Sequence, residues 1–231
     1  MKYLFEKEKR QEFLDAVKIS IVTKKDIDKG IDLETAFRCG YLDVARAPLR
    51  GINTALKNKN PKSSSVKIRD EFIHDYAADK VNELLNNDLN YDEWHKSMCT
   101  VIAIFYKENG YGRFTVGKAQ KWINMAMKYA CIYDYEHQQQ LSKYMEVFHV
   151  PIDRYIATPI ARELHIAPPC YKGGNLELFD ANKKNYVWSN IDNYDDYIEC
   201  QEKIRQKCGL SSPLRWEFEK WLEEKRNRSA K

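Results

Sequence analysis

Two side chains in the stretch GRFTVGKAQKWINMAMKYACIYDYEHQQQLSKYMEVFHVPID, residues 112–153, are of the types that chemistry on a sugar carbon requires. Lys121 offers an amine that can act as a nucleophile. Asp153, in the tripeptide Pro151-Ile152-Asp153, offers a carboxylate partner. Ahead of the lysine lies a basic, glycine-punctuated turn, Arg113-Phe-Thr-Val-Gly117-Lys118, whose backbone amides at a helix start suit a phosphate. An amine, a carboxylate and a phosphate-binding turn within one stretch suggest chemistry on DNA, provided that the fold brings Lys121 and Asp153 together.

The elements that must position this pair are helical. The spacing predicts a helix beginning near Lys118, with Lys121 in its first turn. Its apolar positions Ala119, Trp122, Ile123, Met125, Ala126, Tyr129 and Ala130 cover more than one face, which marks a deeply buried helix. Upstream, Trp94, Met98, Val101, Ile102 and Phe105 predict a helix over 91–107. Val66, Phe72, Ile73, Ala77, Val81, Leu84 and Leu85 predict one over 65–85, with Ser63 to Ser65 available as cap. Residues 1–17 carry a near-helical apolar spacing, and Asp32 can cap a helix holding Leu33, Ala36 and Phe37. Between them, Gly40, Pro48, Gly51 and the run NKNPKSSS suggest turns and a solvated connector, whose Lys57, Lys59 and Lys62 are available to a phosphate backbone.

Past Asp153 the pattern continues as a short helix interrupted by Pro159 and stopped at Pro168-Pro169. Gly173-Gly174 and Asn182 suggest turns or a small hairpin. Ser189 is the expected cap of a helix that Gly209 ends, and Ser212 with Pro213 starts a last helix carrying Leu214, Phe218, Trp221 and Leu222. The expectation is a mainly α protein of about eight helices with no strand series. We read residues 1–231 as a single helical domain, in one body or two lobes, with the turn and the Lys/Asp pair within 91–167.

Composition bounds the function classes. With 43% hydrophobic and 31% charged residues the chain should fold, and a net charge of +4 leaves nucleic-acid binding to local clusters of Lys and Arg. The six cysteines include no CxxC pair, so free buried thiols are expected and no metal or other cofactor is called for. The charged start MKYLFEKEKRQEF is unlike a signal peptide, and no apolar run approaches the roughly 20 residues that span a bilayer. A cytoplasmic enzyme or binding protein, monomeric and away from membranes, is the expectation.

The segments VGKAQKWINMAMKYA and HVPIDRYIATPIAREL together resemble the hairpin, lysine helix and aspartate of the helix-hairpin-helix DNA glycosylases. QKWINMAMKYA and the wide Lys-to-Asp interval are most similar to the archaeal-type 8-oxoguanine glycosylases (AGOG). The resemblance covers roughly 55 residues. It implies a two-lobed helical fold, Lys121 as nucleophile, Asp153 as the catalytic aspartate, and duplex DNA with a flipped base as partner. The activity implied is excision of a damaged or modified base, such as 8-oxoguanine, followed by strand scission through a lysine Schiff base. The physical requirements agree: a carboxylate stabilises oxocarbenium character on the sugar, and the imine is an electron sink for β-elimination.

Family hairpins present Gly-x-Gly, and the matching place here reads Thr115-Val116-Gly117, one glycine short. That departure leaves Lys118, one turn before Lys121, as an alternative nucleophile; Arg113, Gly117 and Lys118 are the expected DNA contacts. Candidates for holding a flipped base are Trp94, His95, Trp122, Asn124 and His149. Two other readings stand beside this one. Arg69 and His74, in RDEFIH, resemble the Arg/His pair of HEPN ribonucleases, and the missing glycine fits an inactive helical DNA-binding protein.

Overall fold

Local capping chemistry sets most of the helix ends. The computed structural model describes residues 4–17, 29–45, 47–134, 136–182, 186–209 and 212–229, and no strand occurs among them. Helix α1 spans Lys7–Val17, so Leu4 and Phe5 lie outside the helix. Helix α2 spans Leu33–Val44, and Asp32 caps it by accepting from the Thr35 amide at 2.7 Å. A further helix, α3 (Ile52–Lys59), occupies a stretch expected to be turns. Gly51, at φ 82°, makes the left-handed entry, and Ile52 and Leu56 supply the one buried edge.

The helix expected over 65–85 begins at its serine cap, Ser64 accepting from the Lys67 amide at 3.2 Å. It runs as α4 (Ser65–Phe72), a π-helical turn (Ile73–Ala77) and α5 (Ala78–Asn87). Asn90 caps α6 (Tyr91–Glu108), and Thr115 caps α7 (Val116–Tyr133). The two residues gained at the start of α7 place Lys121 in its second turn. Every side chain of α7 from Gly117 to Tyr133 is buried, which makes it the axis of the molecule.

Gly40 decides how α2 meets that axis. A Cβ there would lie 2.7 Å from the Ala126 nitrogen and 2.8 Å from the Trp122 carbonyl oxygen, so only glycine lets the two backbones touch. The sequence reading took Gly40 as a turn; it sits inside α2 as a packing notch. The Trp122 indole seals the crossing by donating to the Phe37 carbonyl at 2.9 Å, with the Tyr41 and Phe72 rings 5.0 and 5.2 Å away.

Helix α8 spans Gln138–Ser142 and α9 spans Ala157–Arg162. Pro159 does not interrupt α9: it lies in the first turn, where a backbone N–H has no intrahelical partner to lose. The residues around Gly173-Gly174 form turns and the short 3₁₀ helix Leu176–Leu178 rather than a hairpin, with residues 183–185 outside the described ones. Ser189 lies in a second 3₁₀ helix, Trp188–Asn190, and Asn193 is the actual cap of α10 (Tyr194–Cys208). Gly209 ends α10, and Ser212 caps α11 (Pro213–Ser229), accepting from the Arg215 amide at 3.2 Å. Phe13 of α1 packs on Phe218 and Trp221 of α11 at 5.3 and 5.1 Å, closing the main core. A small satellite cluster, Ala157, Ala161, Phe179, Ala181 and Tyr186, anchors the irregular chain after α9. Among the described residues no helix is long and apolar enough to cross a membrane.

Candidate active site

Lys121 and Asp153 meet. The Lys121 ammonium donates to Asp153 Oδ2, both side chains only 7% exposed. The other oxygen, Oδ1, caps the turn into α9, accepting from the amides of Tyr155 at 2.7 Å and Ile156 at 3.1 Å. Burial by itself would raise the Asp153 pKa. The charge and hydrogen bond of Lys121 together with the two amides more than offset this and hold it below the usual carboxylate range. Asp153 is therefore an anion at neutral pH.

The segment that delivers Asp153, residues 148–152, is neither helix nor strand, and among the described residues no strand lies beside it. Two glutamines stand in for one. Gln120 of α7 donates to the Ile152 carbonyl at 2.9 Å and accepts from the Ile152 amide at 3.3 Å. Gln201 of α10 does the same for Val150, at 2.8 and 2.9 Å. Gln120 adjoins Lys121 in sequence, so one helix fixes both the amine and the register of the carboxylate.

The pair lies in the wall of a cavity of about 480 Å³. Its apolar lining includes Trp188, Trp221, Tyr155, Met125 and Val187, and its charged rim includes Arg154 and Lys225. The Trp188 ring centroid is 5.6 Å from the Lys121 nitrogen, and the Tyr155 and Trp221 rings are 5.9 Å apart. That volume and those aromatic walls suit a flat heterocycle entering from solvent. Asp43, near the end of α2, also lines the cavity and accepts from the Tyr129 hydroxyl at 3.0 Å. Burial raises its pKa above the usual carboxylate range, with Lys121 the largest opposing influence. Lys128, two turns along α7 from Lys121, makes a fully buried pair with Glu217, its nitrogen 3.0 Å from Oε1 and 2.7 Å from Oε2.

The start of α7 is built differently from a phosphate site. The Gly117 amide donates to the Ile191 carbonyl at 2.7 Å, and the Thr115 hydroxyl donates to the Ser189 carbonyl at 2.6 Å. A Cβ on Gly117 would fall 2.2 Å from the Trp188 carbonyl oxygen. This glycine is required for the approach of the Trp188–Asn190 turn, and its N–H is not free for DNA. Lys118 is buried, its ammonium donating to the Arg113 carbonyl 5.6 Å from the Tyr111 ring centroid, and it does not line the cavity. Arg113 is exposed.

None of the residues nominated for the base pocket lines the cavity. Trp94 donates to the Lys80 carbonyl at 2.8 Å, tying α6 to α5, and Trp122 seals the α2–α7 crossing. His149 sits between Asp92, 2.8 Å from Nε2, and the Tyr197 hydroxyl, 3.0 Å from Nδ1. Asn124 donates to Tyr197 at 2.8 Å and to Gln120 at 3.0 Å. His95 lies 2.9 Å from the Tyr194 hydroxyl, and its ring centroid is 4.4 Å from that of His149. Burial lowers the pKa of both histidines, with the His149 charge a further cause for His95. His149 and Asn124 Nδ2 join an internal network beside Gln120 and Val150, whereas His95 Nε2 and Asn124 Oδ1 are buried without a hydrogen-bond partner among the described residues. Arg69 is buried and paired with Asp70 at 2.8 Å, whereas His74 is exposed and lies 3.8 Å from Glu34, so no hydrogen bond joins Arg69 to His74.

Sequence reasoning missed Asp43, Trp188 and the cavity role of Trp221. Trp221 was read correctly as apolar helix face, but the spacing alone could not show that this face ends at a cavity. Cys39, Cys99, Cys131 and Cys200 are buried thiols, while Cys170 is exposed. Among the described residues no three His, Cys, Asp or Glu side chains gather as metal ligands would. Comparison of the chain with family models, with curated proteins and with solved structures returned no match.

Proposed function

We propose that this chain is a DNA glycosylase with abasic-site lyase activity, excising a damaged or modified base of the 8-oxoguanine type through a lysine imine. The observation that carries the reading is the Lys121–Asp153 pair set in the wall of an aromatic-lined cavity open to solvent. A base turned out of the duplex enters between such walls, which places C1′ of its sugar at the mouth, near the pair. Asp153, anionic because of its partners, stabilises the positive charge that develops on the sugar as the glycosidic bond lengthens. Lys121, once deprotonated, bonds to C1′ as the bond to the base breaks; cleavage of the C1′–O4′ bond gives the imine, and loss of a C2′ proton to a general base then expels the 3′ phosphate. Arg154 and Lys225, which line the cavity, and the exposed Arg113 are cations that a phosphate backbone would meet. Lys121 serves as nucleophile rather than Lys118, because only Lys121 lines the cavity.

The test is borohydride trapping on duplexes carrying an abasic site or 8-oxoguanine. The wild-type protein is expected to form a covalent adduct that Lys121→Gln abolishes. Asp153→Asn should slow base release by about a hundredfold or more while leaving DNA binding intact. An adduct that persists in Lys121→Gln refutes the assignment of the nucleophile. RNA cleavage without any adduct would replace the reading with the ribonuclease, and DNA binding without either activity with an inactive binding protein.

A further inference from the structure

The pair accounts for an electrophile-stabilising anion and a nucleophile, and leaves the protons unassigned. Lys121 must lose one before it attacks, and the leaving group must gain one. Asp153 touches the Lys121 ammonium through Oδ2, but Lys121 and the two backbone amides on Oδ1 hold it as a low-pKa anion, so it keeps a proton poorly and does not carry one on to the leaving group. The cavity contains a second carboxylate, Asp43, whose position is fixed independently by the Gly40 notch one turn earlier on α2. Tyr129 of α7 engages its Oδ2, and among the described residues Oδ1 accepts no hydrogen bond. The charged and titratable groups that act on it are Lys121, Lys128 and Tyr129 from α7, Asp153 from the segment before α9, and Cys39 on its own helix.

We propose that Asp43 is the proton carrier of this cavity, taking a proton from Lys121 and giving it to the departing group. The inference rests on the glycosylase/lyase reading above. In the first transfer the proton leaves the Lys121 ammonium and forms an O–H bond on Asp43, while the N–H electron pair stays on nitrogen. That pair then forms the N–C1′ bond as the C1′ bond to the leaving group breaks, its electrons departing with the base, or with the hydroxyl at an abasic site. The Asp43 proton is transferred to that group, releasing a neutral base or water and restoring the carboxylate. No oxidant or co-reactant is needed. Burial raises the Asp43 pKa whereas the partners of Asp153 lower its own, which brings Asp43 closer to the proton affinity that such a carrier requires.

The experiment measures the rate of adduct trapping on an abasic-site duplex across pH for the wild-type, Asp43→Asn, Asp43→Glu and Tyr129→Phe proteins. An abasic duplex carries no base, so a residue that only recognised the base would have no effect there. The expected result is a loss of about a hundredfold in Asp43→Asn, with partial recovery in Asp43→Glu. Wild-type trapping should rise with pH as Asp43 ionises, and this acid limb should vanish in Asp43→Asn. In Tyr129→Phe, which lacks the hydroxyl that favours the carboxylate, the limb should move to higher pH. A folded Asp43→Asn protein that traps at the wild-type rate with the limb unchanged overturns the proposal while leaving the lysine mechanism standing. Absence of trapping in the wild-type protein overturns the underlying reading instead.

Discussion

Replacing Glu217 by glutamine should destabilise this protein severely, whereas replacing both members of the Lys128–Glu217 pair by apolar residues should not. The pair is sealed, with side-chain exposures of 0% and 1%, and the rings of Phe13, Phe218 and Trp221 lie 4.6, 5.3 and 5.4 Å from the Lys128 nitrogen. Burial is the leading influence on both groups, pulling the Lys128 pKa down and pushing that of Glu217 up, so each charge is held at a cost that its partner only partly offsets. Glu217→Gln removes the partner but leaves the ammonium among aromatic rings, a change worth about 3–5 kcal/mol. Total stabilities are typically about 5–15 kcal/mol, so about a fifth or more of the folding free energy is at risk. In urea unfolding followed by tryptophan fluorescence, a slope of about 2–3 kcal/mol per molar turns that loss into a midpoint at least about 1 M lower. The Lys128→Met, Glu217→Leu double variant removes both desolvation costs at similar volume, and loses the cation–π contacts, worth about 2 kcal/mol. Its midpoint should fall within about 1 M of wild type. If Glu217→Gln costs less than about 1 kcal/mol, or the double variant is as unstable as the single one, this account of the pair is wrong.

Other perturbations follow from the same geometry. Gly40→Ala gains about 1 kcal/mol of helix propensity but drives a methyl group into the α7 backbone; we expect a net loss of about 1–3 kcal/mol by urea titration, and no loss would mean that the crossing can open freely. Gly117→Ala should displace the Trp188 turn and depress trapping while the salt slope of DNA binding stays at its wild-type value. A reduced slope would restore the phosphate role of this glycine. His95 and His149 have folded pKa values below the unfolded value of about 6.5, so the unfolded chain binds more protons in mild acid. Their stabilising contribution is complete above pH about 6.5 and is lost as the pH falls toward the folded values. Urea midpoints measured between pH 7 and 5 should drop, and more shallowly in His95→Gln; an equal slope in both proteins counts against the buried neutral histidines.

What could be read from the sequence was what is decided locally. The caps at Asp32, Ser64 and Ser212 and the stop at Gly209 were legible because each acts within four residues of itself. So were the burial of α7 and the bracketing pair Lys121 and Asp153. The base-pocket candidates failed because a buried tryptophan or histidine reads the same from spacing whether its polar atom meets a ligand or a backbone carbonyl. Trp122 meets the Phe37 carbonyl only because Gly40 lets α2 come close, a fact of tertiary crossing. Asp43 was overlooked for the same reason: a single aspartate near the end of an amphipathic helix has no pattern of its own. The turn at Gly117 was misjudged as to purpose, since the residue that its missing Cβ accommodates is 71 positions away at Trp188.

The glutamine clasp around residues 150–152 has a consequence for how the two reactive groups move. Because Gln120 is covalently next to Lys121 and grips the backbone next to Asp153, any shift of α7 carries the carboxylate with the amine. Amine and carboxylate form one stiff unit, anchored at its far end by Gln201 of α10, while Trp188 beside it belongs to the short 3₁₀ helix Trp188–Asn190. The Trp188 part of the cavity wall is in turn tied to the helix that carries Lys121. A change in that turn is felt at the start of the Lys121 helix, so the width of the cavity and the geometry of the Lys121–Asp153 pair are set together.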